Sequence, residues 1–290
     1  MPLVNMKPML AAARRDGWAV AAFNPVDYAS LKAIIQAAAE LDAPVIAQTS
    51  AKTVKYYGYE AIVGWTRELA NAVSVPVALH LDHGKDLKML EKCVETGWTA
   101  VMIDASDKPY AENLAVTRQV LEIASRHDVG VEAEIGEIGG VEEDIVVLEG
   151  QDHHADAEQA LQFIREAPGL AVFAPAIGTA HGIYKHEPRI DWETLTRIAK
   201  GSDVPLALHG GTGLSDEIIQ RCVHTGCAKV NISTNLKHVF VDSFAAYHQA
   251  NPGDYEPLKV LGAQFSAMKE LVTQKIRQFG GAGRAKSVKV

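Results

Sequence analysis

The sequence predicts an α/β protein, a single (β/α)8 TIM barrel spanning residues 1–290. Three observations predict it. Eight short apolar runs alternate with amphipathic stretches. The runs are rich in Val, Ile and Ala without clean alternation, as strands buried on both faces should be. Finally, residues 75–105 align without gaps on residues 204–234, with about twelve of thirty-one positions identical. Chance similarity between two βαβ units is the competing explanation of that echo; if it is real, strands 3–4 repeat as strands 7–8.

The predicted strands are 19–23, 45–48, 77–81, 100–104, 130–134, 171–175, 206–209 and 229–232. Helical periodicity marks 29–43, 59–73, 86–96 and 111–127 between them. An early helix at 7–16 is expected under the bottom of the barrel, and a helix near 262–278 near the end of the chain. The longest interval between strands holds an acidic, His-rich stretch, so a long active-site loop is expected at about 136–158.

Composition bounds the partners. The 48% apolar share suits a large core, and a net charge of −8 argues against nucleic acid or an anionic membrane surface. The first residues are too short in apolar character for a signal peptide, and no run is long enough to span a membrane. Three cysteines without framework spacing fit a reducing, cytoplasmic setting.

Barrel enzymes carry their sites at the C-terminal ends of the strands. Read there, the chain presents Asn24, Gln48 with Ser50, Asp82 with His83, Asp104, Glu134, His181, His209 and Asn231. Capping of the following helices explains one or two such residues, not the whole series. Three imidazoles, His83, His181 and His209, can hold a metal with one position left open for substrate. His80 is expected to lie deeper and to be structural. Neighbours on a strand face opposite ways, so Asp82 and His83 can share a site only if the strand has entered its turn, which Gly84 would permit.

The chain resembles the class II, metal-dependent fructose- and tagatose-bisphosphate aldolases over nearly its whole length. The motifs run in order: His-Leu-Asp-His-Gly at 80–84, Met-Ile-Asp-Ala-Ser at 102–106, Val-Glu-Ala-Glu-Ile-Gly at 131–136 and Gly-Gly-Val-Glu-Glu-Asp at 139–144. Gly-Thr-Ala-His-Gly at 178–182, Leu-His-Gly-Gly-Thr-Gly at 208–213 and Lys-Val-Asn-Ile-Ser-Thr at 229–234 follow. The resemblance implies zinc, with cobalt or iron as alternatives, on His83, His181 and His209. Asp104 and Glu134 match a second metal position or, failing that, groups that orient the histidines. Asp82 matches the general base, and Glu143 a glutamate that moves the proton at carbon 3.

The same resemblance makes Gly182, Lys185, Gly210, Gly211, Thr212, Asn231, Ser233 and Thr234 a phosphate cradle, with Asn24 and Ser50 also facing substrate. A monovalent cation, sodium or potassium, is expected nearby, and a homodimer or homotetramer is implied. The expected reaction cleaves a ketose 1,6-bisphosphate to dihydroxyacetone phosphate and an aldehyde.

Two departures bear on the distal half of the substrate. Where the family usually reads Asp-Pro-Arg, this chain has Asn251-Pro252-Gly253-Asp254-Tyr255, and Lys259 would replace the arginine only as a point charge. The residue after Ser233-Thr234 is Asn235 rather than an acid. These leave open a substrate without the distal phosphate, such as the inositol-catabolic 6-phospho-5-dehydro-2-deoxygluconate. A non-catalytic family member and another metal-assisted reaction are the remaining readings.

Overall fold

A computed structural model describes residues 3–142, 145–147, 154–184 and 186–289. Its strands are β1 (Val20–Phe23), β2 (Val45–Thr49), β3 (Val77–Gly84), β4 (Ala100–Ile103), β5 (Gly130–Ile135), β6 (Gly139–Glu142), β7 (Ile145–Val147), β8 (Val172–Pro175), β9 (Ala180–His181), β10 (Leu206–Leu208) and β11 (Cys227–Ile232). The helices are α1 (Met6–Asp16), α2 (Tyr28–Glu40), α3 (Ala51–Tyr57), α4 (Tyr59–Asn71), α5 (Leu87–Thr96), α6 (Tyr110–Ser125), α7 (Ala157–Glu166), α8 (Trp192–Gly201), α9 (Asp216–Thr225), α10 (Thr234–Ala250) and α11 (Pro257–Gln278).

Eight strands close into a parallel barrel in the order β1-β11-β10-β8-β5-β4-β3-β2. This is the predicted (β/α)8 architecture. Apolar residues on the outer strand faces, among them Val45, Leu79, Val101 and Phe173, pack against the helices. Small residues face inward at the lower end: Ala22, Ala78, Ala100, Ala174 and Ala207. Their size leaves room for α1, whose Met6, Met9 and Leu10 plug the barrel floor. Burial of each large side chain contributes about 1.5–3 kcal/mol. Asn5 caps this helix through Lys7 N–H, and Gly17 ends it in the left-handed conformation.

Two expectations needed correction. The interval 136–158 is not loop throughout. It contains the antiparallel pair β6–β7, and β6 pairs in parallel with β9, Gly140 standing opposite His181. Local pattern could not reveal this, because β9 has only two residues and its partner lies some forty positions away. Second, α3 is additional to the strand–helix alternation, α7 to α10 fill positions for which the alternation gave no bounds, and α11 begins at Pro257 rather than near 262. Proline suits that first turn because the N–H it lacks would have had no helical partner there.

Candidate active site

Above the alanine-lined floor the barrel interior turns polar. Gln48, His80, Glu132 and Lys229 are fully buried, and Asp82, Glu134 and Asn231 nearly so. Their side chains lie on the inner face because the strands alternate: His80 with Asp82, Glu132 with Glu134, Lys229 with Asn231.

By that alternation His83 should point outward. It does not, and the reason differs from the one expected at Gly84. Strand β3 continues through Gly84, but its register against β4 slips between Leu81 and Gly84, and His83 itself takes a positive φ of 47°. A non-glycine residue pays roughly 1–2 kcal/mol for that conformation. The bulge brings Asp82 and His83 to one side, and His83 Nδ1 is tied to Asp104 Oδ2 at 2.8 Å.

His181 also departs from expectation, because it does not end the strand that precedes it. β8 stops at Pro175, the chain turns, and His181 sits on β9. Gly140 opposite must be glycine, since a Cβ there would stand 2.1 Å from the His181 carbonyl oxygen. His209 follows β10 directly. Tyr184 joins these two ligand segments: its hydroxyl donates to Gly210 O at 2.7 Å and accepts from Ala180 N–H at 2.9 Å.

The ring nitrogens of His83, His181 and His209 lie within 4.8 Å of one another. His83 Nε2 faces His209 Nδ1 at 3.0 Å. Tetrahedral zinc would hold its nitrogen donors about 3.3–3.4 Å apart, close to the spacing of the His83–His209 pair, whereas the widest pair of the three would have to draw together. The outer nitrogens of two ligands are already engaged. Asp104 holds Nδ1 of His83, and Glu132 Oε1 holds Nε2 of His209 at 2.7 Å. Each anchor turns the other ring nitrogen inward, the usual arrangement for a metal-binding imidazole.

The charges follow from these contacts. Burial would lower the His83 imidazole, but Asp82, Asp104 and Glu134 outweigh it and hold it well above its ordinary range. Burial would raise the Asp104 carboxyl, yet His83 and Ser106 bring it below the usual value. Glu134 is pushed well up by burial and by Asp104. Burial lowers His209 despite Glu132. Burial alone would raise Glu132, but Lys229 and His209 hold it well below the carboxylate range. A neutral His209 donating to an anionic Glu132 keeps the Nδ1 lone pair available for a cation.

Asp82 is fixed by three amides. Its Oδ2 accepts from Asn24 Nδ2 at 3.0 Å and from Gln48 Nε2 at 3.1 Å, and its Oδ1 from Asn231 Nδ2 at 3.4 Å. Asn24, Asp82 and Asn231 thus form one bonded group and Asp104, His83, His209 and Glu132 another, and Lys229 links the two through Asn231 and Glu132. Glu134 stands beside the second, with Oε2 3.9 Å from His209 Nδ1. Ser50 caps α3 through Thr53 N–H.

Near Asn231 lie the residues expected to form the phosphate cradle. A Cβ on Gly210 would lie 2.4 Å from Ala180 O, and one on Gly211 2.8 Å from Asn231 O, so both positions require glycine. Thr212 Oγ1 accepts from Asn235 N–H at 3.4 Å. Ser233 precedes α10 without a side-chain cap bond, and its buried Oγ has no partner among the described residues. Gly182 lies just beyond His181 at φ 103°, and Thr234 opens α10. Glu143 and Lys185 lie outside the described residues.

Sequence reasoning passed over Glu132 and Lys229. Two glutamates at alternate positions of an apolar strand, and a lone lysine inside Cys-Ala-Lys-Val-Asn-Ile, were the available signals. His80 lies deeper, as expected: it is fully buried, with Nε2 3.4 Å from Glu132 Oε2, and lowered to about 3, chiefly by burial.

Comparison with known proteins agrees with this geometry. Residues 4–284 match the family described as Fructose-bisphosphate aldolase class-II. The Bacillus subtilis protein named "Probable fructose-bisphosphate aldolase" is 40% identical over 288 residues, covering 98% of this chain and 100% of that protein. A D-tagatose-1,6-bisphosphate aldolase subunit from Klebsiella oxytoca is 38% identical over 98% of this chain and 100% of its own. Among solved structures, the YdjI aldolase of Escherichia coli K12 superposes with a TM-score of 0.86 at 29% identity, covering 98% of this chain and 99% of that one.

Proposed function

Because this chain belongs to the class II fructose-bisphosphate aldolase family, we propose that it cleaves a ketose 1,6-bisphosphate, of fructose or tagatose, to dihydroxyacetone phosphate and glyceraldehyde 3-phosphate with the help of zinc. The observation that carries this reading is the convergence of three imidazoles at one strand-end cluster, two of them bonded into the network that also holds an amide-pinned carboxylate.

His83, His181 and His209 would hold the zinc, with cobalt or iron also suited to the nitrogen set. The ion would supply Lewis-acid polarisation of the carbon-2 ketone and its neighbouring hydroxyl. Asp104 and Glu132 keep two of the ligand rings aimed inward. Glu134 beside them is a further candidate for a second metal position.

Asp82 takes the proton from the carbon-4 hydroxyl as the bond between carbons 3 and 4 breaks, and returns it in the condensation direction. Its three amide partners prevent the carboxylate from rotating away. Glu143, assigned by family resemblance, delivers the proton to carbon 3. Gly182, Gly210, Gly211, Thr212, Ser233 and Thr234 receive the carbon-1 phosphate, where backbone N–H groups and hydroxyls can converge on an anion. Lys185 adds a cation by the same resemblance, Asn24 and Ser50 flank the sugar, and sodium or potassium is the expected monovalent ion.

One observation favours a second reading. Lys259 Nζ is bound to Asp254 Oδ2 at 2.7 Å, and Asp254 also accepts from Tyr247. The lysine expected to replace the family arginine is thus already neutralised. That favours a ketose phosphate without the distal phosphate.

No described helix is long and apolar enough to cross a membrane. We place the enzyme in the cytoplasm, where its three buried free thiols would stay reduced. Exposed Val241, Phe244 and Leu258 on α10 and α11 support a homodimer or homotetramer.

The test is a coupled assay for dihydroxyacetone phosphate on the metal-loaded protein, with and without chelator. Fructose and tagatose 1,6-bisphosphate, fructose 1-phosphate and the inositol-pathway ketose phosphate form the panel. Chelator-sensitive release from a bisphosphate supports the main reading. Release only from singly phosphorylated substrates selects the second. No release from any refutes both.

A further inference from the structure

The fully buried lysine below the histidines has no place in the reaction as derived so far. Lys229 Nζ forms an ion pair with Glu132 Oε2 at 2.8 Å and donates to Asn231 Oδ1 at 2.8 Å. An ammonium group in such a position forfeits its hydration, and an ion pair there is weak evidence for stability as such. Nor does the barrel architecture demand a lysine. The corresponding residue of the other half-barrel is Ala100, also buried.

What the lysine does is set the polarity of two neighbours. Glu132 offers Oε2 to Lys229 and Oε1 to His209 Nε2. With its charge balanced by the ammonium, the carboxylate is fixed as an acceptor. His209 must then donate through Nε2 and present Nδ1 to the cluster of imidazoles. Asn231 is similarly constrained. Its amide could sit either way round, but the ammonium requires Oδ1 on its own side, leaving Nδ2 to donate to Asp82. The reverse orientation would bring a carbonyl oxygen against the Asp82 carboxylate.

We propose that Lys229 is the positioning residue shared by both arms of the site: through Glu132 it aims His209 at the metal, and through Asn231 it aims an amide N–H at Asp82. It touches neither substrate nor metal. The inference rests on reading the three histidines as metal ligands and Asp82 as the base.

The experiment compares the unaltered protein with Lys229→Met, with Lys229→Met/Glu132→Gln, and with Met9→Ala on the barrel floor as a control for general destabilisation. Zinc affinity is measured by competition with a chelator. Ligand geometry is read from the visible spectrum of the cobalt-loaded protein. kcat and KM are measured on whichever substrate of the panel is cleaved.

Lys229→Met is expected to lose about 10–100-fold in zinc affinity, the usual scale for a group behind a ligand. The cobalt band should change, and kcat should fall with little change in KM. The double variant removes the unbalanced carboxylate, so its affinity should partly recover while kcat stays low, because the Asn231 arm remains unset. Met9→Ala should lower the Tm and leave affinity and spectrum alone.

Unchanged affinity, spectrum and kcat in a folded Lys229→Met would overturn the inference, as would native values of all three in the double variant. If neither variant folds, nitrogen NMR of the unaltered protein decides. The inference requires the His209 proton on Nε2, and a proton on Nδ1 overturns it. Failure of the unaltered protein to bind zinc or cobalt would be a different result, refuting the metal reading itself and the inference with it.

Discussion

Helix α5 runs Leu87–Thr96 and helix α9 runs Asp216–Thr225, the same bounds displaced by the 129 residues that relate the two echoing segments. Both end on a glycine at positive φ, Gly97 at 122° and Gly226 at 141°, and both bury the same cysteine, Cys93 and Cys222. The equivalent histidines, His80 and His209, reach the two oxygens of one glutamate, Glu132. Then the two units part. After its histidine the first places Leu81, Asp82 and His83, the proposed base and one proposed ligand among them. The second places Gly210, Gly211 and Thr212, which nearly clear the turn of side chains, as the proposed phosphate site would need. On the following strands Ala100 and Met102 answer to Lys229 and Asn231. One frame therefore carries two chemistries, and the division lies in a few inward residues at the strand ends.

Predictions that break the comparison begin with its first half. His181 lies outside both units but is the third proposed ligand. His181→Ala, or chelation, should reduce turnover by about 10³–10⁴, the scale of several kcal/mol of Lewis-acid stabilisation. Steady-state kinetics on metal-reconstituted protein would show it, and a loss below tenfold would argue against metal chemistry. Asp82→Asn keeps the shape and removes the base. It should lower kcat by about 10²–10⁴ while zinc affinity, measured by competition, stays within a few-fold.

The second half should respond differently. In Gly211→Ala the new Cβ would press on Asn231 O and the Val230 side chain, displacing the turn proposed to hold the phosphate. KM should rise about 10–100-fold, the worth of one hydrogen bond to a charged group, with kcat much less affected. A fall in kcat alone would mean that this turn does not hold the phosphate.

How much of this was legible follows from the same residues. The eight barrel strands were readable because each is a short apolar run, and His83 and His209 because they close two of those runs. The means by which His83 reaches the site was not readable, since a bulge depends on register against β4 rather than on residue type. His181 was found as a residue, but its strand was missed because β9 exists only by pairing with distant β6. Glu132 and Lys229 were not legible because they sit within their strands, where no terminal position marks them as part of the site. Glu143 and Lys185 stand on resemblance.

The smallest expected effect concerns His80, which the repeat pairs with a ligand but the fold buries as structure. The folded chain resists protonating it until about pH 3, whereas unfolded histidine takes the proton near 6.5. Its contribution is therefore complete above 6.5 and is lost progressively as pH falls toward 3. His80→Gln should flatten this acid limb in denaturant-unfolding curves collected between pH 7 and 4. An unaltered slope would contradict the assignment.

The most direct test of the central claim is a zinc titration of chelator-treated protein in which bound metal and dihydroxyacetone phosphate release are followed together. The three-imidazole site predicts that activity returns in step with the first equivalent bound per chain, and that His209→Ala abolishes both. Activity that survives chelation, or zinc that binds equally well to His209→Ala, would contradict it.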